Sequence, residues 1–270
     1  MEDKANIDSV LKSVALFTSE NTDIANLGLS VNEKLACSGE YTLSQLEKIE
    51  TVNTCFSAIK RNNYLLSDLA YNPEINCGYY NVRDFLISIC EGLNNYLGGV
   101  FDASITYMLR EDDNVNYTFD GKLVEKSIYD AVYSLLCGAR NAKKDISIYA
   151  KDMGNEIKFV VRSAYPVKEP RKNRKEYSVM FSTANDYTDK SYAEIAVQRM
   201  NGNYEIVYGK SSTKIEMSIP NNLKIKSYIM QEDEAPIKNG EPVMPYVPCK
   251  ESALKNMFPV DLIAKLEEML

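Results

Sequence analysis

The chain contains no histidine. That absence excludes a Ser-His-Asp triad, a Cys-His pair and histidine-ligated zinc. It also excludes phosphoryl transfer through an imidazole of the chain's own. Tryptophan is missing too, so 19 tyrosines and 8 phenylalanines supply all the aromatic surface. The six cysteines (Cys37, Cys55, Cys77, Cys90, Cys137 and Cys249) form no Cys-x-x-Cys pair. They read as reduced, mostly packed thiols of a cytoplasmic protein. No apolar run approaches the ~18 to 20 residues that span a bilayer, so no membrane partner is expected. The acidic N-terminus lacks an apolar h-region, and no signal peptide is expected.

An excess of positive charge is lacking as well. The net charge of −7 argues against a nucleic-acid partner. The short basic run KEPRKNRK, Lys168 to Lys175, reads as a solvated loop.

What is present is a core-forming pattern: 270 residues, 45% of them hydrophobic. Ile7, Val10, Leu11, Val14 and Phe17 begin a helical stripe that Ile24, Leu27, Val31 and Leu35 continue. Ser38-Gly39 breaks it. A second helix is predicted from Thr42 to Ala70, with Thr42 or Ser44 as its cap and Asn72-Pro73 as its stop. Two long antiparallel helices cannot bury a full apolar stripe alone, and pairing two such hairpins gives a four-helix bundle. A loop follows over 73–82, then a helix from Val82 to Leu97. Short strands are predicted at Ile105–Leu109 and Tyr117–Phe119, on either side of the acidic turn 110–114.

The stretch from Asp120 to Pro170 organises the rest. Val124, Ile128, Ala131, Val132, Leu135 and Leu136 fall on one helix face. Ile146, Ile148 and Tyr149 precede an Asp-Met-Gly-Asn turn, and Ile157, Phe159 and Val161 alternate after it. This predicts a helix and a hairpin packed on it. A strand at Tyr177–Phe181, a polar loop, a helix at Tyr192–Met200 and two closing antiparallel strands complete the pattern. Pro236, Pro242, Pro245 and Pro248 mark an extended linker, and Pro259 opens a short C-terminal helix with Ile263, Leu266 and Leu270 on one face.

This order of parts resembles sensor histidine kinases and their GHKL-type ATPase domain. There a helix beginning Asp-Pro-x-x-(Ile/Leu)-Glu-Arg runs into an Asn-Leu-Leu-x-Asn-Ala box, and a strand pair leads to Asp-x-Gly-x-Gly. DGKLVEKSIYDAVYS parallels the first, and VVRSAYPVKEP stands where the second belongs. MNGNYEIVYGKSSTKIEMSIP resembles the family's closing strands, with Gly202, Glu205, Thr213, Ile215 and Pro220 in place. The resemblance covers most of residues 15 to 220. It implies an α+β chain in which a helical hairpin, a four-helix bundle on dimerisation, precedes a two-layer α/β sandwich of the histidine-kinase ATPase type. The implied domains are the hairpin at 1–72, the ATPase-like domain at 73–222, and a linker with a C-terminal helix at 223–270.

The resemblance also marks site positions. Asp130 and Ser134 take the two Asn positions that serve Mg2+ and ATP in the family. A register shifted by one turn would give Ser134 and Gly138. Ser163, Tyr165 and Val167 stand in place of the adenine-binding Asp and its glycines. The glycine box expected before Tyr192 reads DYTDKS, with Asp186 and Asp189 opposing a phosphate. The phosphoacceptor box of the first helix is matched by Phe17-Thr18-Ser19-Glu20, with Ser19 at the phosphoacceptor position. The reading is therefore a catalytically inactive regulatory or scaffold protein of two-component-type signalling, without a cofactor or bound metal. Its expected partners are a second copy of itself and a response-regulator receiver domain or a histidine kinase, docking near Ser19, Glu20 and Asp23. The sporulation phosphotransferases are a precedent for the architecture, although they use a histidine. The alternative is a divergent ATP- and Mg-binding GHKL enzyme, Ser/Thr-directed like the anti-sigma kinases.

Overall fold

The computed structural model describes residues 2–37, 42–71, 75–98, 103–110, 113–138, 144–167, 191–221 and 245–258; side chains are described from Thr18 on, apart from a few in α2 and Gly138. The polar loop through residue 190, which holds all of the glycine-free DYTDKS except Ser191, the strand expected at 177–181 and the helix expected from Pro259 lie outside these residues. The chain divides into two compact units. One holds the N-terminal helices and the residues from Ser252 on, and the other holds the elements between, up to Glu251.

Helix α1 spans Glu2–Cys37 and α2 spans Leu43–Tyr71. Thr42 starts α2 with one half of a capping box. Its backbone N–H and its hydroxyl both reach the Gln45 side-chain oxygen at 2.9 Å. The helices run antiparallel, because contacts that climb α1 descend α2. Ser67 donates to Thr18 Oγ1 at 2.9 Å, the Phe56 ring lies against Gly28, and Asn32 donates to the Ile49 carbonyl at 2.7 Å. A side chain at position 28 would strike that ring. Small and polar residues fill the seam, among them Thr18, Ala25, Asn32, Ala36, Asn53 and Ser57, all buried. Several large apolar residues lie elsewhere, although Phe56 packs against Gly28 and Leu65 is buried. Ile24, Leu27, Val31 and Leu35 on α1, and Val52, Ile59 and Leu66 on α2, are 43 to 66% exposed.

In the second unit, β1 (Gly78–Asn81) pairs antiparallel with β3 (Asn116–Phe119). The sequence reading placed only a loop at 73–82. Between these strands lie α3 (Val82–Leu97), capped by the Asn81 side chain, and β2 (Ala103–Tyr107). Helix α4 spans Gly121–Gly138, and β4 (Lys144–Asp152) and β5 (Glu156–Ser163) form the expected hairpin. Helix α5 (Tyr192–Arg199) leads to β6 (Asn203–Tyr208) and β7 (Thr213–Pro220). The main sheet has five strands in the order β2-β4-β5-β7-β6, with β2 parallel to β4 and the rest antiparallel. Although β2 and β3 are neighbours in sequence, they enter different sheets.

Strand alternation separates the two faces of this sheet. Ile146, Ile148, Ile157, Phe159 and Val161 face the helices and are at most 2% exposed. Phe159 packs with Phe85 of α3 and with Phe119, at centroid distances of 6.1 and 5.5 Å. Ser147, Tyr149, Lys158 and Arg162 take the opposite face by register.

A further helix, α6 (Glu251–Met257), forms where the linker was expected. Its Leu254 and Met257, and Phe258 after it, are buried, and Arg61 Nε donates to the Met257 carbonyl at 3.0 Å.

Candidate functional site

The residues singled out lie on α4, at the end of β5 and just beyond it, and α4 also packs against α5. Asp120 caps α4, accepting from Lys122 N and Leu123 N at 3.1 Å each. Nearly three turns on, Asp130 is buried at 4% exposure. Its Oδ2 accepts the backbone N–H of Ala193, the second residue of α5, at 3.0 Å. Ser191 caps the same helix by accepting from Glu194 N at 3.1 Å. A helix N-terminus is an anion seat, because its first N–H groups lack intrahelical acceptors and the dipole is positive there. The carboxylate on this seat belongs to the chain itself. Tyr204 of β6 lies close by. Burial pushes its phenol up, a hydrogen bond with Ser191 opposes that, and the Asp130 charge adds to it.

Ser134 points elsewhere. It is exposed, and its hydroxyl donates to the Asp130 carbonyl one turn back at 2.9 Å. Ser163 ends β5 fully buried. Its Oγ accepts from Thr213 N at 3.1 Å and lies 2.5 Å from the Tyr165 carbonyl and 3.3 Å from that of Thr213. The hydroxyl is thus surrounded by backbone partners. Tyr165 folds inward, 6% exposed, and donates to the Leu135 carbonyl of α4 at 3.0 Å. Burial, helped by nearby Cys137 and Asp145, pushes its phenol up to about 12. Val167 N donates to Thr213 Oγ1 at 2.8 Å. Asp130 thus joins α4 to α5, Ser163 joins the end of β5 to β7, and Tyr165 reaches α4, while the Ser134 hydroxyl bonds within its own helix. No group of acidic or thiol side chains suited to a metal ion occurs among the described residues.

Ser19, Glu20 and Asp23 lie in the other unit, exposed on α1. The adjoining Thr22 hydroxyl donates to the Thr18 carbonyl at 2.7 Å, and Thr18 itself is buried in the seam.

One residue escaped the sequence reading. Glu125 of α4 is fully buried. It accepts from the Tyr129 hydroxyl at 2.6 Å, from the Tyr246 hydroxyl at 2.6 Å and from Cys249 N at 2.8 Å. Tyr246 also reaches the Gly121 carbonyl at 3.1 Å, and its ring packs on Phe85 and Tyr80 at 4.5 and 5.4 Å. Any Cβ at position 121 would lie 2.6 Å from that ring, so glycine is needed there. Residues 245–249 are thereby strapped onto α4. The available signal was a lone carboxylate next to the apolar α4 stripe, with a tyrosine four residues on.

The hairpin followed by an ATPase-type sandwich is a histidine-kinase-like fold. Histidine kinase ThkA, solved in complex with response regulator protein TrrA, superposes with a TM-score of 0.52 at 11% identity, covering 82% of this chain and 66% of that one. The Acinetobacter baumannii histidine kinase AdeS gives 0.49 at 8% identity over 73% of this chain and 95% of that one. Full-length ShkA in complex with AMPPNP gives 0.49 at 10% identity, over 77% and 45%. At such identities the likeness is one of fold. No family model and no curated protein matches the sequence.

Proposed function

We infer that this chain is a catalytically silent histidine kinase-like regulatory protein that works by binding, as a homodimer, in two-component-type signalling. The observation that carries this is the Asp130 carboxylate on the N-terminus of α5. A nucleotide polyphosphate directed at that seat meets a fixed negative charge. Like charges about 4 Å apart repel by about 4 kcal/mol at an effective dielectric of 20. Tyr165 and Ser163 add to the argument, since both are buried and hydrogen-bonded to the chain's own backbone. The absence of histidine removes the ordinary phosphoacceptor.

The hairpin, residues 1–72, is the proposed dimerisation domain, and 73–222 the ATPase-like domain. The exposed stripe on α1 and α2 supports a second copy as its cover. Ile24, Leu27, Val31 and Leu35 recur at helical spacing, and Val52, Ile59 and Leu66 recur every seven residues. A response-regulator receiver domain is the proposed partner, at Ser19, Glu20 and Asp23. The ThkA–TrrA complex supports a receiver as a ligand of this fold. No described helix is long and apolar enough to cross a membrane, and a cytoplasmic location is proposed.

Sedimentation velocity and receiver binding test the reading together. Replacing Leu27 and Val31 with Asp should convert a dimer to a monomer with unchanged near-ultraviolet circular dichroism. Glu20→Arg with Asp23→Arg should abolish receiver binding while leaving the dimer intact. A wild-type monomer, or receiver binding indifferent to those charges, would defeat it.

A further inference from the structure

At the β2 edge of the main sheet, a cavity of about 230 Å³ opens over β2, β4 and β5. Its walls are chiefly apolar, with Met108 and Ala164 among them. Register builds a polar row along it. Thr106 of β2 sits beside Ser147 of β4, Ser147 beside Arg162 of β5, and Arg162 beside Lys214 of β7. Thr106, Ser147 and Arg162 line the cavity.

By register, the sheet face that carries Ser147 and Arg162 holds Lys151, Lys158, Arg162 and Lys214 beside Asp145, Glu156, Glu205 and Glu216. Lys158 pairs with Glu216 at 3.0 Å. Arg110 and Lys151 lie over the Tyr149 ring, at 5.3 and 5.8 Å from its centroid. Arg162 and Lys214 remain. Their side chains make no hydrogen bond or ion pair with another described residue, and Lys214 has Val207 as its other cross-strand neighbour. Like charges directly opposite across two strands destabilise a sheet. This pair stands in a chain of net charge −7, where acidic partners are plentiful. A guanidinium with its fork unfilled, edging an apolar cavity, is chemically matched to a carboxylate.

We propose that this cavity binds a small organic monoanion, an aromatic or branched aliphatic carboxylate. Its apolar body fills the space against Met108 and Ala164, and its carboxylate bridges Arg162 and Lys214, with the Ser147 and Thr106 hydroxyls beside it. The volume sets the size. It exceeds the ~150 Å³ that holds a benzene ring and falls short of the ~300 Å³ of drug-sized sites. Asp145, the acidic residue of the lining, selects against a second negative charge and so against a phosphate dianion. The cavity shares Ser163 with the region described above but neither Asp130 nor Ala193, so the proposal does not depend on whether nucleotide binds at the α4–α5 contact.

The test is a titration of the ¹⁵N-labelled full chain with sodium benzoate, followed by amide shifts. Benzamide, the neutral isostere, and phenyl phosphate, the dianion, run alongside. Saturable shifts are expected at Thr106, Ser147 and Ala164, with benzamide and phenyl phosphate each weaker by about tenfold or more. Arg162→Met should weaken benzoate by a similar factor with the rest of the spectrum unchanged. Lys214→Met is the second variant, and the isostere series on the native chain decides the matter if a variant misfolds. No saturable shift at about 10 mM benzoate, equal binding of benzamide, or indifference to both substitutions would overturn the proposal.

Discussion

Replacing Glu125 with Ala should free the strap while leaving the sandwich folded. The side chain satisfies three donors: the Tyr129 hydroxyl, the Tyr246 hydroxyl and Cys249 N. Tyr246 retains the Gly121 carbonyl at 3.1 Å, so two donors are orphaned. Each buried donor left without a partner costs about 1 to 3 kcal/mol. Losing the buried charge itself offsets part of this, because its desolvation penalty disappears with it. A net loss of about 2 to 4 kcal/mol is expected. Glu125→Gln keeps the shape but turns its amide donors toward the tyrosine and backbone donors, and should cost about 1 to 2 kcal/mol. Urea unfolding reports the size, with tyrosine emission as the probe. Hydrogen exchange of the peptide covering 245–250 reports the place, and its protection should fall in Glu125→Ala before that of β5. A loss under about 0.5 kcal/mol with unchanged protection of that peptide would refute the reasoning.

The remaining predictions concern two further buried groups. Tyr165 has its folded pKa raised to about 12 against an ordinary value near 10. Its contribution is therefore complete below about pH 10 and is lost as pH rises toward 12. Tyr165→Phe should cost about 0.5 to 1.5 kcal/mol at neutral pH and flatten that alkaline loss in a stability–pH series. Asp113 titrates the other way. Burial pushes its carboxyl up, but the Tyr107 hydroxyl, the Arg110 N–H and the Arg83 guanidinium outweigh this and hold it below the ordinary range. Its stabilisation is present above about pH 4 and is lost as pH falls through the lower folded value. Asp113→Asn should therefore remove part of the acid sensitivity measured by circular dichroism between about pH 5 and 2.

The long helices were legible because their apolar residues recur at helical spacing, and Thr42 and Gln45 form a local cap signal. Which side of each helix would be covered within the chain was not legible. The stripe at Ile24, Leu27, Val31 and Leu35 has the pattern of a buried face, yet the seam is made by Thr18, Ala25, Asn32 and Ala36. Periodicity reveals a face that needs covering and says nothing about what covers it. Strand β1 was missed because four residues, Gly78 to Asn81, offer no alternation, and their partner Asn116–Phe119 lies far along the chain. Helix α6 was obscured by the prolines just before it. In the candidate site, position along the motif singled out Asp130 and Ser163. Their partners, Ala193 and Thr213, lie 63 and 50 residues away, beyond the reach of local pattern. Glu125 likewise acquires its meaning from Tyr246 and Cys249, over 120 residues on.

The most direct measurement is isothermal titration of the full chain with ATP and Mg2+, repeated on Asp130→Asn. The account predicts no heat of binding for the native chain at millimolar nucleotide, because its own carboxylate holds the α5 N-terminus and Tyr165 is packed inward. Micromolar binding to the native chain, lost on Asp130→Asn, would contradict it: Asp130 would then serve the nucleotide's metal, and the chain would be a divergent ATP-binding enzyme.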